Sequence, residues 1–147
     1  MWMRGLFPFK SVVSYNPHGN KQVAIPITLG DKLRNRRLEL GLSQSQVAKL
    51  FDTDSDLVYM WEKNFIKPTI KRFPQVINFL EYFPFETDRT TLGGRIKEYR
   101  YLHGLSQEVL ALKLGINEST IFHYENGKHK PTLRVSKKLE SFLDNNI

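Results

Sequence analysis

The chain has 147 residues, 40% of them hydrophobic, which is enough for one ordinary domain or two very small ones. Its 22 lysines and arginines outnumber 15 aspartates and glutamates, and the net charge of +7 makes an acidic partner, nucleic acid first, the leading expectation. The absence of cysteine excludes disulfides, thiolate metal sites and cysteine nucleophiles, and it fits a cytoplasmic, reducing location.

The opening run, MWMRGLFPFKSVVSY, is interrupted by Pro8 and Lys10 and does not make a signal peptide. No apolar run approaches the ~20 residues needed to span a membrane, so no membrane partner is expected. Residues 1–27 form an N-terminal segment in which SVVSYNPHGNKQVAIPI suits a hairpin around NPHGN, an arm or a disordered tail.

From residue 28 the chain repeats itself. At an offset of 63, TLGDKLRNRRLELGLSQSQVAKLFDTDSDLVYMWEKNFIKPT lies without a gap on TLGGRIKEYRYLHGLSQEVLALKLGINESTIFHYENGKHKPT. Both copies share TLG, an arginine, GLSQ, an alanine, a glutamate and KPT. The spacing predicts two related units, 28–82 and 91–143, with a linker at 83–90 that reaches at most ~28 Å when extended.

In the first unit Thr28 suits the start of a first helix with Leu33 and Leu38 among its apolar positions. Gly41 supplies a residue that tolerates positive φ at its end. Ser43 caps a second helix, SQSQVAKLF, and Gln46 completes a capping box. Asp52 takes a left-handed position, and Asp54 caps a third helix carrying DLVYMWEK. Pro68 stops that segment, and Thr69 begins the approach to a fourth helix.

The second unit follows the same plan. Thr91, Gly104, Ser106, Gly115, Asn117, Pro131 and Thr132 stand at the corresponding positions, with Ile96 and Leu102 apolar in its first helix. Val109 replaces the glutamine that a capping box would need. Gly93 and Gly94 belong to the start of a helix and not to a phosphate-cradling loop.

Two short helices, an alanine in the first and a tight turn between them, make a helix-turn-helix pattern. The stretch GLSQEVLALKLGINESTIFHYENGKHKP closely resembles the Xre/Cro-like family of phage repressors and bacterial regulators. Ala111 sits where that family needs a small residue, Gly115 at its turn, and Ile121 and Tyr124 at its buried recognition-helix positions. Glu125 to Lys128, ENGK, is also family-like. The first unit matches through Ala48, Val58 and Trp61, and departs at Asp52 and in EKNF, which replaces ENGK.

The resemblance implies an all-α fold of tandem lambda-repressor-like helix-turn-helix domains, about four short helices each, beside the irregular or hairpin N-terminal segment. The family's usual domain has a fifth helix that often takes part in dimerisation. Here YFPF follows the fourth helix of the first unit, and DNNI follows that of the second. Their edges are expected to pack on each other, on YFPF or on the N-terminal segment.

Site residues follow from the same resemblance. Arg37 with Glu62, and Arg100 with Glu125, are expected to be structural salt bridges tying the first helix to the third. Gln44 and Gln107, each just after a serine cap, are expected to touch a DNA phosphate while bracing the recognition helix. In the second unit Glu118, Ser119, Thr120 and His123 fall on the base-reading positions, with Phe122 beside them for a thymine methyl. Asn126, Lys128 and Lys130 are placed to hold phosphates.

The first unit offers Ser55, Asp56, Leu57 and Met60 for reading, and Lys63, Asn64 and Lys67 for the backbone. Asp52 and Asp54 lie nearby, where phosphates would be repelled. Residues 28–82 carry nine basic against seven acidic residues, net +2; residues 91–143 carry nine against five, net +4. The second unit is therefore the better reader.

No catalytic constellation, metal-ligand spacing or cofactor motif is present, and the protein is not read as an enzyme. The leading expectation is a cytoplasmic, sequence-specific binder of double-stranded DNA, bound to the nucleoid: a bacterial or mobile-element regulator, in the manner of a repressor. Its two linked units would act in the major groove as a pseudo-dimer. The alternatives are an antitoxin-like adaptor in which the first unit binds protein or a second copy, and the DNA-targeting subunit of a mobile-element enzyme.

Overall fold

The computed structural model describes residue 22 and residues 24–146, so the hairpin reading around NPHGN lies outside the described residues. Every regular element among the described residues is helical. The chain divides into two compact units between Lys67 and Pro68.

The first unit contains α1 (Leu29–Glu39), α2 (Gln44–Leu50) and α3 (Ser55–Glu62). Thr28 and Ser43 cap α1 and α2 through reciprocal capping boxes, with Asp31 and Gln46 as the returning side chains. Each box satisfies two amides that the helix cannot pair internally. Gly41 and Asp52 take the positive φ that reverses the chain between helices. Leu33, Leu38, Val47, Ala48, Phe51, Val58 and Trp61 are buried, and the Phe51 and Trp61 rings meet edge to face at 5.6 Å.

The second unit holds a 3-10 turn (Ile70–Arg72), α4 (Phe73–Leu80), α5 (Leu92–His103), α6 (Gln107–Leu114), α7 (Glu118–Glu125) and α8 (Leu133–Asp144). By packing, α4 groups with α5, although the sequence repeat counts it with the first unit. The Phe85 ring explains part of this allegiance: it stacks on Phe73 at 4.3 Å and meets Tyr101 of α5 at 4.9 Å. Phe83 adds a further edge contact to Phe85. Residues 83–90 are thus no free tether, and YFPF covers an edge of the second unit.

Asp88 then prepares the start of α5. Its carboxylate accepts from the amide and hydroxyl of Thr90, while its backbone carbonyl accepts from the amide and hydroxyl of Thr91, the N-cap. Those Thr90 bonds hold the Asp88 carboxyl below its ordinary pKa. Behind α5 lies one core in which Ile96, Tyr99, Leu110, Ala111, Leu114, Ile121, Leu139 and Leu143 meet.

Two caps differ from expectation. Asp54 and Asn117 occupy the N-cap positions of α3 and α7 with extended backbone, but neither side chain bonds the helix. The amide that each would take, that of Leu57 or Thr120, is already bonded to the cap residue's own carbonyl.

Candidate nucleic-acid interface

The second unit builds its helix pair from small, local choices. Gly115 ends α6 at φ 62°, and the amide of Ile116 returns to the Ala111 carbonyl at 3.0 Å. Ala111 and Ile121 are both buried, so the two helices close on each other through a small residue and a fully enclosed isoleucine. That closure leaves Glu118, Ser119 and Phe122 of α7 exposed, with Thr120 and His123 half-buried.

Arg100 holds this arrangement from behind. Its guanidinium donates to both oxygens of Glu125, each at 2.6 Å, and to the Leu105 carbonyl at 2.9 Å. Gln107 donates its side-chain amide to the same Glu125 carboxylate at 2.8 Å. One arginine therefore fastens α5, the loop before α6 and the end of α7 together. The first unit repeats every bond: Arg37 donates to Glu62 and to the Leu42 carbonyl, and Gln44 donates to Glu62 at 2.9 Å.

The GLSQ tetrapeptide thereby has four structural parts. Gly turns the chain, Leu offers a carbonyl to the arginine, Ser caps the next helix, and Gln bonds the glutamate. Gln44 and Gln107 thus each give a side-chain N–H to the frame, and both side chains are half-buried.

The phosphate candidates follow a second left-handed glycine. Gly127, at φ 64°, folds the chain back, and the Lys128 amide bonds the His123 carbonyl at 2.9 Å. Lys128 lays its ammonium 5.2 Å from the Phe122 ring centre, and Lys130 is exposed. Asn126 donates its side-chain amide to the Phe122 carbonyl, so it serves the end of α7 as well as facing outward.

The corresponding surface of the first unit has different chemistry. Asp56 is exposed, and Ser55, Leu57 and Met60 are half-buried. Lys63 and Lys67 are exposed, Lys63 near the Tyr59 ring. Asn64 adopts φ 60° and accepts the Gly30 amide through its side-chain oxygen, a structural use. Where the second unit has Lys128 and His129, the first has Phe65, 68% exposed, and Ile66.

Sequence reasoning placed Gly93 at the start of a helix and Gly30 in the shared TLG, without the close contact that either makes. A Cβ on Gly30 would overlap the Trp61 carbonyl, and one on Gly93 would overlap the Tyr124 carbonyl. These glycines let the first helix of each unit touch the end of the third. Their recurrence within TLG was the available signal. His129, whose ring lies 4.8 Å from that of His123, carried no such signal.

Among the described residues no cluster of His, Cys, Asp and Glu could hold a metal ion, and no helix is long and apolar enough to cross a membrane. A helix-turn-helix family profile matches residues 96–147. The chain is 46% identical over 52 residues to an uncharacterised HTH-type transcriptional regulator of Methanocaldococcus jannaschii, covering 35% of this chain and 79% of that protein. Two uncharacterised HTH-type transcriptional regulators of Archaeoglobus fulgidus are 44% and 40% identical over 45 residues. Each match takes 31% of this chain and spans less than two thirds of the relative, 64% and 63%. No solved structure matches the chain significantly.

Proposed function

Because the chain belongs to the helix-turn-helix family, we propose that it is a DNA-binding transcription regulator whose second unit places α7 in the major groove. The observation that carries this reading is the bonded frame of Arg100, Gln107 and Glu125. It fixes α7 with Glu118, Ser119, Thr120, Phe122 and His123 forward, and Asn126, Lys128 and Lys130 follow at its end. In such a geometry the first group reads base edges, while the second and the Gln107 region hold phosphates.

The first unit is read as a second helix-turn-helix copy. Helices α1, α2 and α3 begin 63 residues before α5, α6 and α7, and the arginine–glutamate–glutamine frame recurs bond for bond. The protein then acts as a covalent pseudo-dimer on two unlike half-sites, occluding or recruiting polymerase in the cytoplasm. Archaeal relatives carry the reading beyond the bacterial hosts expected from the resemblance.

Selection from random duplexes, followed by footprinting at several salt concentrations, tests it. The expected result is a two-part site of ~15–20 base pairs whose affinity falls steeply with salt. A single short half-site would remove the first unit from base reading, and no duplex preference would overturn the proposal.

One observation favours a second reading for the first unit. Asp54, Asp56, Phe65 and Ile66 are exposed around α3, an acidic and apolar surface suited to a protein rather than to phosphates. A short half-site together with retained regulation would support that reading.

A further inference from the structure

His123 presents its two ring nitrogens to opposite environments. Nδ1 is enclosed and meets no hydrogen-bond partner, whereas Nε2 is not enclosed. The rings against His123 are those of His129, edge to face at 4.8 Å and 73°, and Phe122 at 5.5 Å. His129 reaches that place because Gly127 turns the chain back and the Lys128 amide ties to the His123 carbonyl.

An enclosed N–H with no acceptor is among the rarest polar defects in proteins, and a bare lone pair is tolerated more readily. A proton on Nδ1 of the neutral ring would create that defect. The other neutral tautomer carries its single proton on Nε2, facing outward. We propose that His129 is a positioning residue that holds His123 as the Nε2–H tautomer, making His123 a one-way hydrogen-bond donor that selects guanine.

The base follows from groove chemistry. Guanine offers N7 and O6 as adjacent acceptors, adenine sets a donor beside its N7, and thymine sets a methyl beside its O4. A lone donor is best matched by the first. The base preference rests on the DNA-binding reading above; the tautomer does not.

Two measurements on the full chain keep those parts separate. Long-range 15N–1H correlation of the free protein at neutral pH should show His123 protonated at Nε2. His129→Ala should give mixed tautomers, and His129→Phe should keep the wild-type pattern. Duplex selection should give a guanine at one position of the second unit's half-site. Placing 7-deazaguanine there, or introducing His129→Ala, should cost about tenfold in discrimination, whereas His129→Phe should retain it. Dominant Nδ1–H in the free protein, or an unchanged base preference in His129→Ala, would overturn the proposal. A chain that selects no duplex overturns the guanine preference along with the DNA reading, while the NMR result still decides the tautomer.

Discussion

Arg100 and Glu125 have side chains only 5% and 4% exposed, so their charges have nearly left water and depend on each other. Removing one partner leaves the other enclosed and unpaired. Glu125→Ala should therefore destabilise the second unit by about 3–5 kcal/mol, read from urea unfolding of the full chain. Gln107→Ala leaves the ion pair whole and should cost ~1 kcal/mol. The glycines separate two kinds of strain. Gly93→Ala drives a methyl into the Tyr124 carbonyl and should cost about 1–3 kcal/mol through the displaced helix. Gly115→Ala meets nothing closer than the Lys138 ammonium at 3.7 Å, yet φ is +62°, so its cost of about 1–2 kcal/mol is purely conformational. Thermal unfolding should show both losses, and a Gly93→Ala chain as stable as wild type would contradict the close approach. The conformational need at Gly115 was readable from sequence because it is local; the contact at Gly93 depends on a residue 31 positions away and was not.

Helix α4 and the segment after it show what a repeat conceals. The offset assigns Phe73 and YFPF to the first copy and its exit, but their rings pack on Tyr101 of α5. Phe85→Ala should destabilise the second unit by about 2–3 kcal/mol, since Phe85 is partly open and loses less than a fully enclosed ring. A chain beginning at Pro68 should likewise unfold at higher urea than one beginning at Thr91. Equal midpoints would show that α4 contributes nothing to α5. The start of α5 adds a pH dependence. The Asp88 carboxyl is lowered by its Thr90 bonds, so its contribution is present above the unfolded value of about 3.9 and fades as pH falls through the lower folded one. Protection of the Thr90 amide should be level from neutrality down to about pH 5, then fall in acid, and Asp88→Asn should flatten that fall. The serine and threonine caps were legible because a cap involves only neighbours. The failure of Asp54 and Asn117 to bond was not, because their own carbonyls reached the same amide first.

For the molecule as a whole, a net charge of +7 says that an acidic partner is favoured but not where it sits. On the proposed reading the partner sits at the frame around α7, and the clustering of Lys128 and Lys130 beside it yields a prediction. Lys128→Ala should weaken binding to all duplexes by a similar factor and reduce the salt slope by about 1, measured by titration at several ionic strengths. A change in preferred sequence instead would mean that Lys128 reads bases. By itself the sequence determined the helical class, the internal repeat at an offset of 63, the serine and threonine caps and the glycine turns, because periodicity and turn chemistry act over a few residues. Only the tertiary structure decided that α4 packs with α5, that Gly30 and Gly93 are points of helix contact, and that the His129 ring stands edge to face beside His123. Those outcomes depend on atoms brought together by the packed core, where shape and unpaired polar groups select among arrangements that the local pattern leaves equal.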